Sequence, residues 1–125
     1  MNILIKNSSD EPIYLQIKNQ IRDAILKGEL KENELLPSIR ILAKELRISV
    51  ITTKRAYDEL ERDGFINSVQ GKGSFVAAQN PELMKEKFLK NIEDSLSDAL
   101  YYAKIAGVSN TELIDMLNIL EDNND

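Results

Sequence analysis

Five cations fall within sixteen residues, Arg40, Lys44, Arg47, Lys54 and Arg55, and Glu45 is the one acid among them. Guanidinium and ammonium groups packed at that density form a surface for a polyanion, above all a run of phosphates. Hydroxyl side chains, Ser38, Ser49 and Thr52, are interleaved with the cations, and Ile51 adds a bare hydrocarbon. Further on, Lys72 stands between Gly71 and Gly73. Flanking glycines let the backbone approach a partner closely, so that lysine has the setting of a contact at a turn. The net charge of −5 argues against a polyanion partner only until it is divided. Residues 80–125 carry four Lys against ten Asp and Glu, a net of −6, which leaves residues 1–79 at +1. A local basic patch decides phosphate binding, and the sum over the chain does not.

Other chemistries are poorly supplied. The chain has no Cys and no His, which removes disulfides, thiolate nucleophiles, the commonest metal ligands and the usual general base near neutral pH. No glycine-rich phosphate loop or paired carboxylates stand in for them, so the expectation is a binding protein with no catalytic residues, no metal and no cofactor. No stretch reaches the roughly 20 apolar residues that cross a bilayer. The opening Met1-Asn2-Ile3-Leu4-Ile5-Lys6 lacks the layout of a signal peptide, so no membrane partner and a cytoplasmic location are expected.

The cations need elements to hold them. Asp10-Glu11-Pro12 reads as a helix start, with proline in the first turn and acids at the positive end of the dipole. Tyr14, Ile17, Ile21, Ala24 and Ile25 then repeat at helical spacing up to Gly28, predicting a helix over about 12–27. Leu35-Leu36-Pro37-Ser38 opens a second helix with Ser38 as N-cap and an inward stripe of Ile39, Leu42, Ala43 and Leu46. After Arg47-Ile48-Ser49, Ser49 caps a third helix through Asp63, with Thr53, Ala56, Tyr57 and Leu60 inward and Gly64 at its end. Two short helices across so tight a turn make a helix-turn-helix. Phe65–Val69 and Ser74–Ala77 flank a glycine-rich turn and predict a β-hairpin, the wing of a winged helix. Tyr14, Tyr57, Phe65 and Phe75 are read as core.

Asn80-Pro81 marks a boundary. A helix to about Ala106 follows, then a break at Gly107, a capping-box pattern in Ser109-Asn110-Thr111-Glu112, and a last helix expected to fray over Glu121–Asp125. The fold class is therefore mainly α (α+β): a winged helix-turn-helix over 1–79 and a two-helix hairpin over 80–125. A hairpin of that size cannot bury its own apolar stripes. Phe88, Ile92, Leu96, Leu100, Leu113, Leu117 and Leu120 need another surface, and a second copy related by a two-fold axis supplies one. The hairpin is thus read as a dimerisation device. Tyr101 and Tyr102 are read as packing residues; nothing in their spacing specifies a small-molecule effector.

At 100° per residue, with Thr53 inward, Ile51 and Arg55 project almost opposite the core, flanked by Thr52 and Lys54. That edge is the one expected to enter a major groove, with Arg55 reaching guanine N7 and O6 and Ile51 a thymine methyl. Two rival readings are a winged helix that binds protein and a small enzyme; the first leaves the Gly71-Lys72-Gly73 tip without a purpose and the second lacks His and Cys.

Several motifs stand in order: Pro12-Ile13-Tyr14-Leu15-Gln16-Ile17, Leu36-Pro37-Ser38-Ile39-Arg40-Ile41-Leu42-Ala43, Ala56-Tyr57-Asp58-Glu59-Leu60-Glu61, Asp63-Gly64, and Gly71-Lys72-Gly73-Ser74-Phe75-Val76. Over roughly residues 10–78 they resemble the GntR family of bacterial transcription regulators. With only 46 residues after the wing, the chain looks like the YtrA subfamily, whose short tail is implied to dimerise. The resemblance makes Arg40 a DNA contact. It also implies a sequence-specific regulator, most simply a repressor, that binds a pseudo-palindromic double-stranded operator as a homodimer. One departure stands out: the subfamily usually has polar residues where this chain has Val50 and Ile51.

Overall fold

In the computed structural model, which describes residues 1–124, the chain forms two compact units, 1–79 and 80–125. The order of elements is α1 (Ile13–Leu26), α2 (Ile39–Leu46), α3 (Val50–Arg62), β1 (Ile66–Val69), β2 (Gly73–Val76), α4 (Pro81–Ala106) and α5 (Asn110–Asn123).

In the first unit, the core lies where α1 and α2 meet α3. Ile17, Ile21, Leu42, Ala43, Ala56, Tyr57 and Leu60 are all buried there, joined by Phe65, Ile66 and Val76 from the hairpin. Ala56 is fully buried, and its small side chain admits close helix approach. Pro12 takes the N-cap position of α1, so the helix begins one residue later than expected, and no acid falls in the first turn. Lys27 closes α1, and Gly28 follows at φ +80°. Gln16 and Gln20, one turn apart on α1, hold the segment before it. Gln16 Oε1 accepts from Lys6 N at 2.8 Å while its Nε2 donates to Lys6 O at 3.0 Å. Gln20 repeats the pattern with Leu4 N at 2.9 Å and Leu4 O at 2.8 Å. Each amide imitates a neighbouring strand, which is how these otherwise unpaired backbone groups are satisfied.

The hairpin is antiparallel, with Ile66 opposite Val76 and Val69 opposite Gly73. A third extended segment, unexpected from the sequence, lies along it. Leu35 bridges Phe75, Asn33 N donates to Val76 O at 2.8 Å, Val76 N to Glu34 O at 2.9 Å, and Leu36 N to Ser74 O at 2.9 Å. Leu35 thus belongs to the wing, and only Ser38 begins the turn into α2. Tyr57 and Phe65 are core as expected, whereas Tyr14 and Phe75 are only half-buried. Strand alternation puts Val76 on the core side and turns Phe75 to the other face, opposite Leu35.

In the second unit, Asn80 Oδ1 caps α4 by accepting from Glu82 N at 3.0 Å, and Gly107 ends the helix at φ +74°. Ser109 and Glu112 form the full capping box of α5. The expected fraying is not seen over Glu121–Asn123, which remain helical to the end of α5; Asp125 lies outside the described residues. Ala103 is the one buried apolar residue of this unit among those described. Leu113 is half-buried, and Phe88, Ile92, Leu96, Leu100, Leu117 and Leu120 are between 39% and 58% exposed.

Candidate nucleic-acid interface

Both helices of the central pair begin at a serine whose side chain replaces a missing backbone partner. Ser38 Oγ accepts from Ile41 N at 3.1 Å, and Ser49 Oγ accepts from Thr52 N at 3.0 Å. Ser49 Oγ also donates to Thr52 Oγ1 at 2.8 Å, so two expected contact residues are already joined to each other. The turn between the helices is made by Arg47 in the left-handed region, φ +57°, a conformation uncommon outside glycine and asparagine. It lets Ile48 N reach back to Ala43 O at 3.0 Å. Thr53 Oγ1 donates to Ser49 O, and the buried Tyr57 hydroxyl donates to Pro37 O at 2.7 Å. Burial pushes that hydroxyl's pKa well above the usual tyrosine value. These bonds fix the start of α2 and the start of α3 relative to one another.

The residues expected to meet a duplex are displayed on this frame. Ile51 is 82% exposed, Val50 and Ile41 about half exposed, and Ser38, Arg40, Ser49, Lys54 and Arg55 are exposed while Thr52 is half-buried. Arg40, Lys44, Arg47 and Lys72 enter no ion pair among the described residues. Arg40 and the nearby Glu45 form no ion pair with each other. Lys54 and Arg55 differ: each meets a carboxylate one turn on, Lys54 Nζ at 2.7 Å from Asp58 Oδ2 and Arg55 Nε at 3.3 Å from Glu59 Oε2. The Lys54–Asp58 pair, exposed on both sides, is weak and exchanges readily for a phosphate, whereas the Glu59 carboxylate that meets Arg55 is only 18% exposed. Lys72 stands apart at the hairpin tip, in a turn closed by Lys72 N donating to Val69 O at 2.9 Å. Gly71 and Gly73 around it have φ of +79° and +114°. The ribbon is tied to α3 by Ser68 N, which donates to Glu61 Oε2 at 2.6 Å.

Two features are invisible in the local sequence. Arg55 Cζ lies 3.7 Å from the centroid of the Tyr14 ring, which explains why Tyr14 is half-buried: a cation covers its face. On the same seam Lys18 reaches from α1 to Glu59 at 3.2 Å and Asp63 at 2.8 Å. Burial opposes all three charges, yet the mutual hydrogen bonds prevail. Asp63 and Glu59 hold Lys18 above its ordinary pKa, and Lys18 holds both carboxyls below theirs. Glu59 is therefore a junction, serving Lys18, Arg55 and, at 3.7 Å, Arg62.

Comparison with known proteins agrees with this geometry. The profile of bacterial regulatory proteins of the gntR family matches residues 13–76. The HTH-type transcriptional repressor YtrA of Bacillus subtilis is 35% identical over 106 residues, spanning 85% of this chain and 82% of that protein. A transcriptional antiterminator of Listeria monocytogenes superposes with a TM-score of 0.76 at 32% identity, over 97% of this chain and 90% of its own. The DNA-binding domain of AraR, solved in complex with operator ORX1, superposes at 0.55 and 29% identity over 62% of this chain and 96% of its own. Together with the basic helix-turn-helix and the glycine-tipped wing, these matches leave one assignment: the chain belongs to the GntR family, as a winged-helix DNA-binding transcription regulator.

Proposed function

We propose that this protein represses transcription in the cytoplasm by binding, as a homodimer, a pseudo-palindromic operator. The observation that carries the reading is the exposed edge of α2 and α3, where Ile51 is 82% exposed and Arg40, Lys44 and Arg47 have no protein partner among the described residues. In this reading Arg40 and Lys54 neutralise phosphates beside the capped helix starts at Ser38 and Ser49. Arg55 reads a base edge, Ile51 and Thr52 line the groove, and Lys72, between Gly71 and Gly73, reaches the backbone or the neighbouring groove. The protein works by occupancy and not by turnover, consistent with a chain lacking His and Cys. Repression is supported by the name of the Bacillus subtilis relative.

Dimerisation rests on the second unit, whose exposed Phe88, Ile92, Leu96, Leu100, Leu117 and Leu120, with the half-buried Leu113, call for a partner surface. Two copies related by a two-fold axis present two reading heads to two half-sites. Selection of bound duplexes from a random pool, followed by footprinting on the gene's own upstream region, tests the proposal. The expected outcome is one protected stretch with inverted half-sites. Uniform binding to every duplex in the pool would overturn the specific reading.

A further inference from the structure

Arg55 is exposed yet ordered in a way an exposed arginine need not be. One face of its guanidinium is stacked on Tyr14, 3.7 Å from the ring centroid. Its Nε is taken by Glu59 at 3.3 Å, and Glu59 is itself anchored by Lys18 at 3.2 Å. The side chain nevertheless remains 60% exposed, and no acceptor among the described residues takes Nη1 or Nη2. A stacked plane with one edge tied and the other edge open is a fork already set for a two-acceptor group.

Resting on the assignment of Arg55 as a DNA contact, we infer that Tyr14, on α1 and outside the helix-turn-helix, is a positioning residue for DNA recognition. Its ring, with Glu59, holds the Arg55 guanidinium so that Nη1 and Nη2 point outward for guanine O6 and N7 or for two phosphate oxygens. The gain comes from order: a long flexible side chain fixed before binding loses less freedom on contact. This also accounts for an aromatic residue at a half-buried site on α1, where an aliphatic one would fill the seam equally well.

The test uses the full chain and the duplex that it selects from a random pool. Affinities are compared for the wild type, Tyr14→Phe, Tyr14→Leu, Arg55→Ala and the Tyr14→Leu/Arg55→Ala double variant. Tyr14→Phe keeps the ring and should bind like the wild type. Tyr14→Leu should bind about two- to fivefold more weakly, the equivalent of one exposed cation–π contact. Added to Arg55→Ala, Tyr14→Leu should cost nothing more. Single-base variants of the duplex identify the acceptor. Loss confined to one G·C pair assigns guanine, while uniform loss with a salt slope shallower by about 0.9 assigns phosphate; either supports the positioning role. In the free protein, the Arg55 side-chain NMR signals should carry a ring-current shift that Tyr14→Leu abolishes. If Tyr14→Leu does not fold, Tyr14→Met carries the same comparison. Wild-type affinity in Tyr14→Leu, or losses that add in the double variant, overturns the inference while leaving Arg55 as a contact. Wild-type affinity in Arg55→Ala removes the underlying assignment instead.

Discussion

An isoleucine left 82% exposed on the first turn of α3, beside a half-exposed Val50, contributes little to the isolated fold. Its neighbours sharpen the contrast, because Ser49 gives its hydroxyl proton to Thr52 Oγ1 at 2.8 Å, which leaves the Thr52 hydroxyl as the one free donor of the two. In a major groove the one hydrocarbon presented by base edges is the thymine methyl. Replacing thymine by uracil, one position at a time in the selected duplex, removes that methyl and nothing else. Loss of about 1 kcal/mol is expected at a single position per half-site, on the scale of one buried methyl group. Ile51→Ala should bind more weakly and become indifferent to the same replacement. Equal binding of every uracil duplex would remove Ile51 from the readout.

At the scale of elements, α1 is held to α3 by Lys18 on Glu59 and Asp63, and this seam sets the ground under Tyr14 and Arg55. Both carboxyls have folded pKa values below their ordinary 4.5 and 3.8, so their contribution is complete above those values and is lost as pH falls through the folded ones. Lys18, raised above 10.5, keeps its contribution until pH rises past that region. Urea unfolding should show a fall in stability below about pH 4.5 that is smaller in Lys18→Met; parallel pH curves for the two proteins would contradict the clamp. The wing has its own constraint. Gly73 sits at φ +114°, and an added Cβ would lie 3.1 Å from Leu35 Cδ1. Leu35 is exposed and can yield, so backbone strain dominates, and Gly73→Ala should destabilise by about 1–3 kcal/mol in thermal unfolding. No change would mean the ribbon relaxes freely. Which elements are legible in the sequence follows from where their causes lie. Ser38, Ser49 and the Ser109–Glu112 box are local signals, and the structure finds all three in use. The Arg55–Glu59 pair is equally local, one turn apart. The Glu34–Leu36 segment has no alternation of its own and is extended because Ser74 and Val76, some forty residues on, supply its partners. Tyr14 reads as core for a similar reason: the cation covering it lies 41 residues away.

The whole molecule combines a head that needs phosphates with a tail that repels them and exposes hydrocarbon. Residues 80–125 carry a net −6, which keeps that unit from competing for DNA, and their leucines are exposed in the single chain. Each leucine taken from half-exposed to buried contributes roughly 1 kcal/mol, so a handful on each side of a two-fold axis suffices for a stable pair. Leu96 is 55% exposed, so Leu96→Glu removes little packing within one chain but places a carboxylate in the proposed dimer surface. Sedimentation of that variant should give the 14.2 kDa single chain with unchanged helical circular dichroism, against a species of twice that mass for the wild type. The DNA consequence follows from counting phosphates. The logarithm of affinity falls with the logarithm of salt by about 0.9 per neutralised phosphate, and a dimer engages two heads' worth. On a full operator the wild-type slope should therefore be about twice that of Leu96→Glu. On an isolated half-site, where a single head reads, the two proteins should give the same slope. If Leu96→Glu keeps both the double mass and the steeper slope, the tail is not what pairs the heads.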